Sequence, residues 1–163
     1  VSADAFGYTP GVESRVHHQT EQFLVASAGP VVVWITGMAV NNEDFVHVRA
    51  VFDGALGKEP KTALMMVLKE GTKMPEMGAR KAAADMIEAI GDRFVGMHVV
   101  LRGSGFWASA LRSAITGLAM LVRRKQAALA YSTVEEASKE IADLIPGVVA
   151  SELTSAVERL LDK

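Results

Sequence analysis

Two short stretches of the chain hold the side chains best suited to chemistry. One is Arg102-Gly103-Ser104-Gly105-Phe106-Trp107. Its two glycines let a backbone come close to a partner. Arg102 brings a permanent positive charge, Ser104 a hydroxyl, and Phe106 and Trp107 an apolar surface. A serine between glycines invites comparison with a nucleophile elbow, but the Gly-x-Ser-x-Gly spacing is absent. The plainer reading is a tight strand-to-helix turn, with Ser104 as helix cap and Trp107 in the core. The other stretch is the polar loop 69–78. There Thr72 and Lys73 precede a helix start, whose free amide donors can hold an anion. Glu76 and Met77 follow. The plainer reading is a solvated connection, since the loop matches no phosphate-binding motif. The ligand- or partner-binding residues expected from the sequence are thus Thr72, Lys73, Glu76 and Met77 from one loop, and Arg102, Gly103, Ser104, Gly105 and Trp107 from the other.

The remaining reactive side chains assemble into nothing stronger. His17 and His18 are adjacent, and strand neighbours point to opposite faces, which makes a poor chelate. His47 and His98 stand alone in the sequence, no His-x-x-x-His spacing occurs, and there is no cysteine, so no metal site is expected. Asp85 and Glu88, and Glu135, Glu136 and Glu140, lie at helical spacing on faces that read as solvated rather than as an acid–base pair across a cleft. The eight methionines are scattered. Their default role is to fill core gaps, and the alternative is a flexible apolar pocket. No catalytic constellation and no cofactor is expected.

Composition narrows the classes further. The chain has 163 residues, half of them hydrophobic and 22% charged, with a net charge of −2. That suits one globular domain with a real core and argues against nucleic-acid binding, which favours a basic excess. The cysteine-free sequence suits a reducing compartment, and a cytoplasmic location is the expectation. Residues 1–22 carry no signal-peptide pattern, and no apolar run approaches the roughly 20 residues of a membrane-spanning helix.

The elements that must position the two loops are legible as an alternation. Residues 1–21 read as an N-terminal arm. Phe23-Leu24-Val25-Ala26 and Val31-Val32-Val33-Trp34-Ile35, parted by Gly29-Pro30, read as a hairpin. The second run is apolar without alternation, as in a strand covered on both faces. Asn41-Asn42-Glu43-Asp44 opens a helix that carries Phe45, Val48, Phe52 and Leu56. Residues 63–68 form a strand, Pro75 suits the first turn of a second helix, and Ala79, Ala82, Ala83, Met86, Ile87 and Ile90 form its apolar stripe, closed by Gly91. Residues 97–101 are the next strand. The helix after it turns Trp107, Leu111, Ile115, Leu118 and Val122 inward and ends on Arg123-Arg124-Lys125. Residues 127–131 make a short strand, Ser132-Thr133-Val134-Glu135 a capping box, and Pro146-Gly147 separates two final helices. The expected fold is α/β: a mixed, mainly parallel five-stranded sheet, in the order β-β-α-β-α-β-α-β-α plus one extra C-terminal helix.

This order resembles the STAS domain, the SpoIIAA-like fold of anti-sigma-factor antagonists. The resemblance rests on the hairpin leading into Ile35-Thr36-Gly37-Met38, on Leu111-Arg112-Ser113-Ala114-Ile115-Thr116-Gly117-Leu118, which looks like that family's third helix, and on Tyr131-Ser132-Thr133-Val134-Glu135-Glu136-Ala137, similar to its last strand and helix start. It covers residues 22–145, with 146–163 as a helix packed on the same domain. It implies a non-catalytic bacterial regulatory module that binds a protein partner or a second copy of itself. The departure is at the start of the second helix. Where the family keeps a phosphorylatable serine, Met74-Pro75-Glu76-Met77-Gly78-Ala79 has no hydroxyl, so the phosphoswitch is not implied. The alternative expectation, suggested by some relatives and by analogous CRAL-TRIO-like proteins, is a carrier of a small apolar ligand or lipid, with its pocket at the carboxyl ends of the strands.

Overall fold

The structure, a computed structural model, describes residues 11–124 and 127–163. The described residues form six strands and five helices, in the order β1 (Ser14–Gln19), β2 (Phe23–Ala28), β3 (Val31–Thr36), α1 (Asp44–Asp53), β4 (Thr62–Leu68), α2 (Ala79–Ile90), β5 (Phe94–Leu101), α3 (Gly105–Leu121), β6 (Ala128–Tyr131), α4 (Val134–Leu144) and α5 (Ala150–Leu161). The strands lie side by side in chain order, β1 to β6. The β1–β2 and β2–β3 pairs are antiparallel, and β3 through β6 are parallel.

This is the expected α/β class with one strand more than the sequence suggested. The added strand, β1, falls inside the stretch read as an arm. Its sequence, Ser-Arg-Val-His-His-Gln, shows no apolar alternation because it is an edge strand whose side chains stay half-buried or exposed. An irregularity between Val16 and His18 further breaks its period. The rest of the expected arm, 1–10, lies outside the described residues.

Each step from β3 to β6 moves one strand in the same direction, and successive crossovers of one hand then place their helices on one face. That face carries α1, α2 and α3, packed over Val32, Trp34, Leu64, Met66, Met97 and Val99. The opposite face carries α4 and α5, packed over Ala26, Val31, Val33, Met65, Val67 and Val100. All positions of β3 and β4 are buried, as two-sided coverage requires of an unbroken apolar run.

Local signals account for most boundaries. Asn41 and Asp44 bond reciprocally ahead of α1: Asn41 Oδ1 accepts from the Asp44 amide at 3.1 Å, and the Asp44 carboxylate accepts from the Asn41 amide at 3.0 Å. Gly91 ends α2 with φ at +74°. Two expectations shift. Pro75 does not begin α2; it lies in irregular chain, and the helix starts at Ala79. The cap of α4 is Thr133, one residue later than expected, and the reciprocal box is not closed: Thr133 Oγ1 accepts from the Glu136 amide at 3.1 Å and donates to the Glu136 carboxylate at 3.1 Å. Past the end of α3, Arg123 has φ at +57° and Arg124 donates to the Phe94 carbonyl at 3.1 Å. Lys125, the third member of that basic cluster, lies outside the described residues.

Candidate functional site

The two loops singled out in the sequence follow β4 and β5, two adjacent parallel strands, so they meet at the carboxyl end of the sheet, where open α/β sheets bind ligands. Thr72 is buried and its hydroxyl donates to the Lys69 carbonyl, which closes the loop on itself. The Trp107 indole donates in turn to the Thr72 carbonyl. Trp107 lies across Gly103, where a Cβ would come within 2.5 Å of the ring. Gly105, at φ +71°, makes the left-handed turn into α3. Ser104 occupies the cap position in extended backbone, but its side chain makes no capping bond, contrary to the helix-cap reading. These residues form a joint between two loops rather than a pocket. Lys73, Arg102 and Ser104 are exposed.

The space suited to a ligand lies beside that joint. A cleft of about 480 Å³ opens between α2 and α3, floored by Met66 and Leu68 of β4 and Met97 and Val99 of β5. Ala79 and Ala83 of α2 and Ala114 of α3 form part of its walls, with Leu111, Ile115 and Leu118. Val40 and Phe45 close the side toward α1, and the 74–77 segment forms a rim. Of the expected site residues, Glu76 and Met77 line this cleft, whereas Thr72, Lys73, Arg102, Gly103, Ser104, Gly105 and Trp107 do not.

The sequence reading missed the floor and both helical walls. Ala79, Ala83, Met66 and Met97 were legible as buried, but a core alanine and a cleft alanine share one periodic position. The usable signal was the methionines. Met66, Met74, Met77 and Met97, from three separate segments of sequence, converge on this one cleft.

Its lining is apolar apart from Glu76 and Arg80. The guanidinium of Arg80 extends from α2 to α3, where a Cβ at Gly117 would lie 3.7 Å from Nη1. The ion pairs among the described residues are Arg49–Asp53, Lys81–Asp85 and Glu135–Lys139, all one helical turn apart and exposed, and Arg80 belongs to none of them.

The histidines gather in two other places. His47, isolated in sequence, stacks on His18 at 3.8 Å and 11°. His17, beside them, is within hydrogen-bonding distance of Ser27 Oγ at 2.8 Å, and burial, reinforced by the charge of Arg15, lowers its pKa. Stacked rings direct their nitrogen lone pairs in parallel rather than to a common point. Among the described residues, no group of three or more His, Cys, Asp or Glu is arranged to hold a metal ion. On the α4 face of the sheet, His98 is fully buried and its Nδ1 shares a 3.0 Å hydrogen bond with the Tyr131 hydroxyl. Burial pulls the His98 pKa down to about 4. Burial, with a contribution from Glu140, pushes the Tyr131 hydroxyl up to about 12. Both groups are therefore neutral at pH 7, and they are separated from the cleft by the sheet. Among the described residues, no helix is long and apolar enough to cross a membrane.

Comparison of the chain with protein-family models, with curated proteins and with solved structures gave no match in any of the three.

Proposed function

We propose that this chain is a non-catalytic binding module of SpoIIAA-like build whose cleft between α2 and α3 takes a small apolar ligand. The observation that carries this reading is the cleft itself, about 480 Å³ and lined almost wholly by apolar side chains. Its size falls within the roughly 300–1,000 Å³ of small-molecule sites. Four methionines on the floor and rim suit a ligand of variable shape, because an unbranched thioether adapts to its contacts at little cost. Nothing in the cleft supplies a nucleophile with an adjacent base, so binding without turnover is the simpler assignment. The neutral dye Nile red tests it. The expected result is stoichiometric binding by the wild type and at least a tenfold weaker signal from Ala114→Phe, which fills the cleft. Binding that survives Ala114→Phe in a folded protein would show that the dye sits elsewhere and would remove the cleft from consideration.

A second reading, a regulatory module that binds a protein partner or a second copy of itself, draws on a different observation. Met38, Met74, Met77 and Phe106 are all exposed, Met77 by 99% and Phe106 by 89%. All four stand on the segments that follow β3, β4 and β5, at one end of the sheet. STAS antagonists keep their phosphorylatable serine at the equivalent end. Here Gly78 directly precedes α2, so partner contact would be governed by apolar surface rather than by phosphate. Sedimentation measurements that find the same monomer for the wild type and for Phe106→Glu at all concentrations would count against self-association.

A further inference from the structure

We infer that the occupant of the cleft carries a single anionic head group, a carboxylate or phosphate, on its apolar body, and that Arg80 holds that head. The inference rests on the cleft-binding reading above and adds the ligand's charge to it. The lining offers two charged side chains, Glu76 and Arg80, and they are not equivalent. Glu76 stands on the loop that forms the rim. Arg80 stands in the first turn of α2 and its guanidinium reaches across to Gly117 of α3.

The charge of Arg80 is also unspent. Although Glu76 and Arg80 share the rim, they are not within ion-pair distance, and no other described carboxylate pairs with Arg80. A guanidinium presents a planar fork of donors that matches the two oxygens of a carboxylate or phosphate. Placed at the border between an apolar cleft and water, it suits an amphipathic molecule whose tail lies over Met66 and Met97 and whose head remains at the surface. A cationic head would meet Arg80 across the mouth.

Isothermal titration with dodecanoate, dodecyl phosphate and 1-dodecanol tests the inference and identifies which anion is preferred. The expected result is that at least one of the anions binds about tenfold or more tightly than the alcohol, as a charge-assisted hydrogen bond supplies. Arg80→Gln should reduce that anion to the affinity of the alcohol and leave the alcohol unchanged. Arg80 is exposed, so the variant should melt with the wild type, which separates loss of the head contact from loss of fold. If the alcohol binds as tightly as both anions, or the preference for an anion survives Arg80→Gln, the inference is overturned and the cleft reading stands. If none of the three binds, both are overturned.

Discussion

A methyl group at position 103 would meet the Trp107 ring at 2.5 Å, and the ring has little freedom to yield because its indole nitrogen is bonded to the Thr72 carbonyl. Gly103→Ala should therefore destabilise the protein by about 1–3 kcal/mol, the usual cost of overpacking, and shift the tryptophan emission. Urea unfolding followed by fluorescence measures both, and an unchanged midpoint would mean that the ring swings aside freely. The same contact explains why the 102–107 segment attracts attention in the sequence. Its glycines, serine and aromatics satisfy the demands of a tight strand-to-helix turn, and those demands use the same residue types as a binding loop. Glu76 and Met77, which line the cleft, could be singled out from the sequence because a loop at the carboxyl end of a strand is where ligands meet such sheets. Arg80, which also lines the cleft, was not singled out, because a lone arginine in an amphipathic helix has no pattern that separates it from a solvated one. Its place in the cleft lining and its reach to Gly117 on another helix distinguish it.

Helices carry their own start signals, and where those signals were unambiguous the sequence was readable. Asn41 with Asp44 marks the entry to α1, and Gly91 marks the exit from α2. Ser132 and Thr133 both qualify as caps for α4 by residue type, and only geometry separates them. Thr133 bonds the Glu136 amide, while Ser132 accepts from Arg112 at 2.9 Å. Thr133→Ala should cost about 1 kcal/mol, and Ser132→Ala, which removes only an exposed side-chain contact, should cost less. Parallel chemical melts of the two variants give the ranking, and a larger loss from Ser132→Ala would reverse the assignment. Strands were legible in proportion to their burial. β3 and β4, covered on both faces, read as unbroken apolar runs. β1 has one neighbour and half-exposed side chains, so its composition is that of a loop, and the strand count came out one short.

At the scale of the whole molecule, the sheet is shared by two apolar layers, and β5 belongs to both. Phe94, Met97, Val99 and Leu101 face α2 and α3, while Val100 faces α4 and α5. His98 lies in the middle of that strand, and its folded pKa of about 4 is below the ordinary 6.5. The unfolded chain therefore binds this proton more readily than the folded one, so stability is greatest above pH 6.5 and declines as pH falls from about 6.5 toward 4. The shift corresponds to about 3 kcal/mol at the acid limit. Because β5 ties both layers together, the loss should appear as one cooperative transition. Urea melts from pH 7.5 to 4.5 should show it, and His98→Gln should flatten the profile over that interval; an equal slope in the variant would assign the acid sensitivity to other groups. The order of the strands has a consequence for how the molecule forms. Every strand pairs with its neighbour in the chain, and parallel partners such as Val31 and Ala63, or Met97 and Ala128, are separated by a similar length of chain. Each new parallel pairing therefore closes a loop of roughly thirty residues at nearly constant entropic cost, and no step has to wait for more distant segments to meet. The sheet can grow from its hairpin toward β6 as the polypeptide leaves the ribosome, each strand docking on an edge already in place.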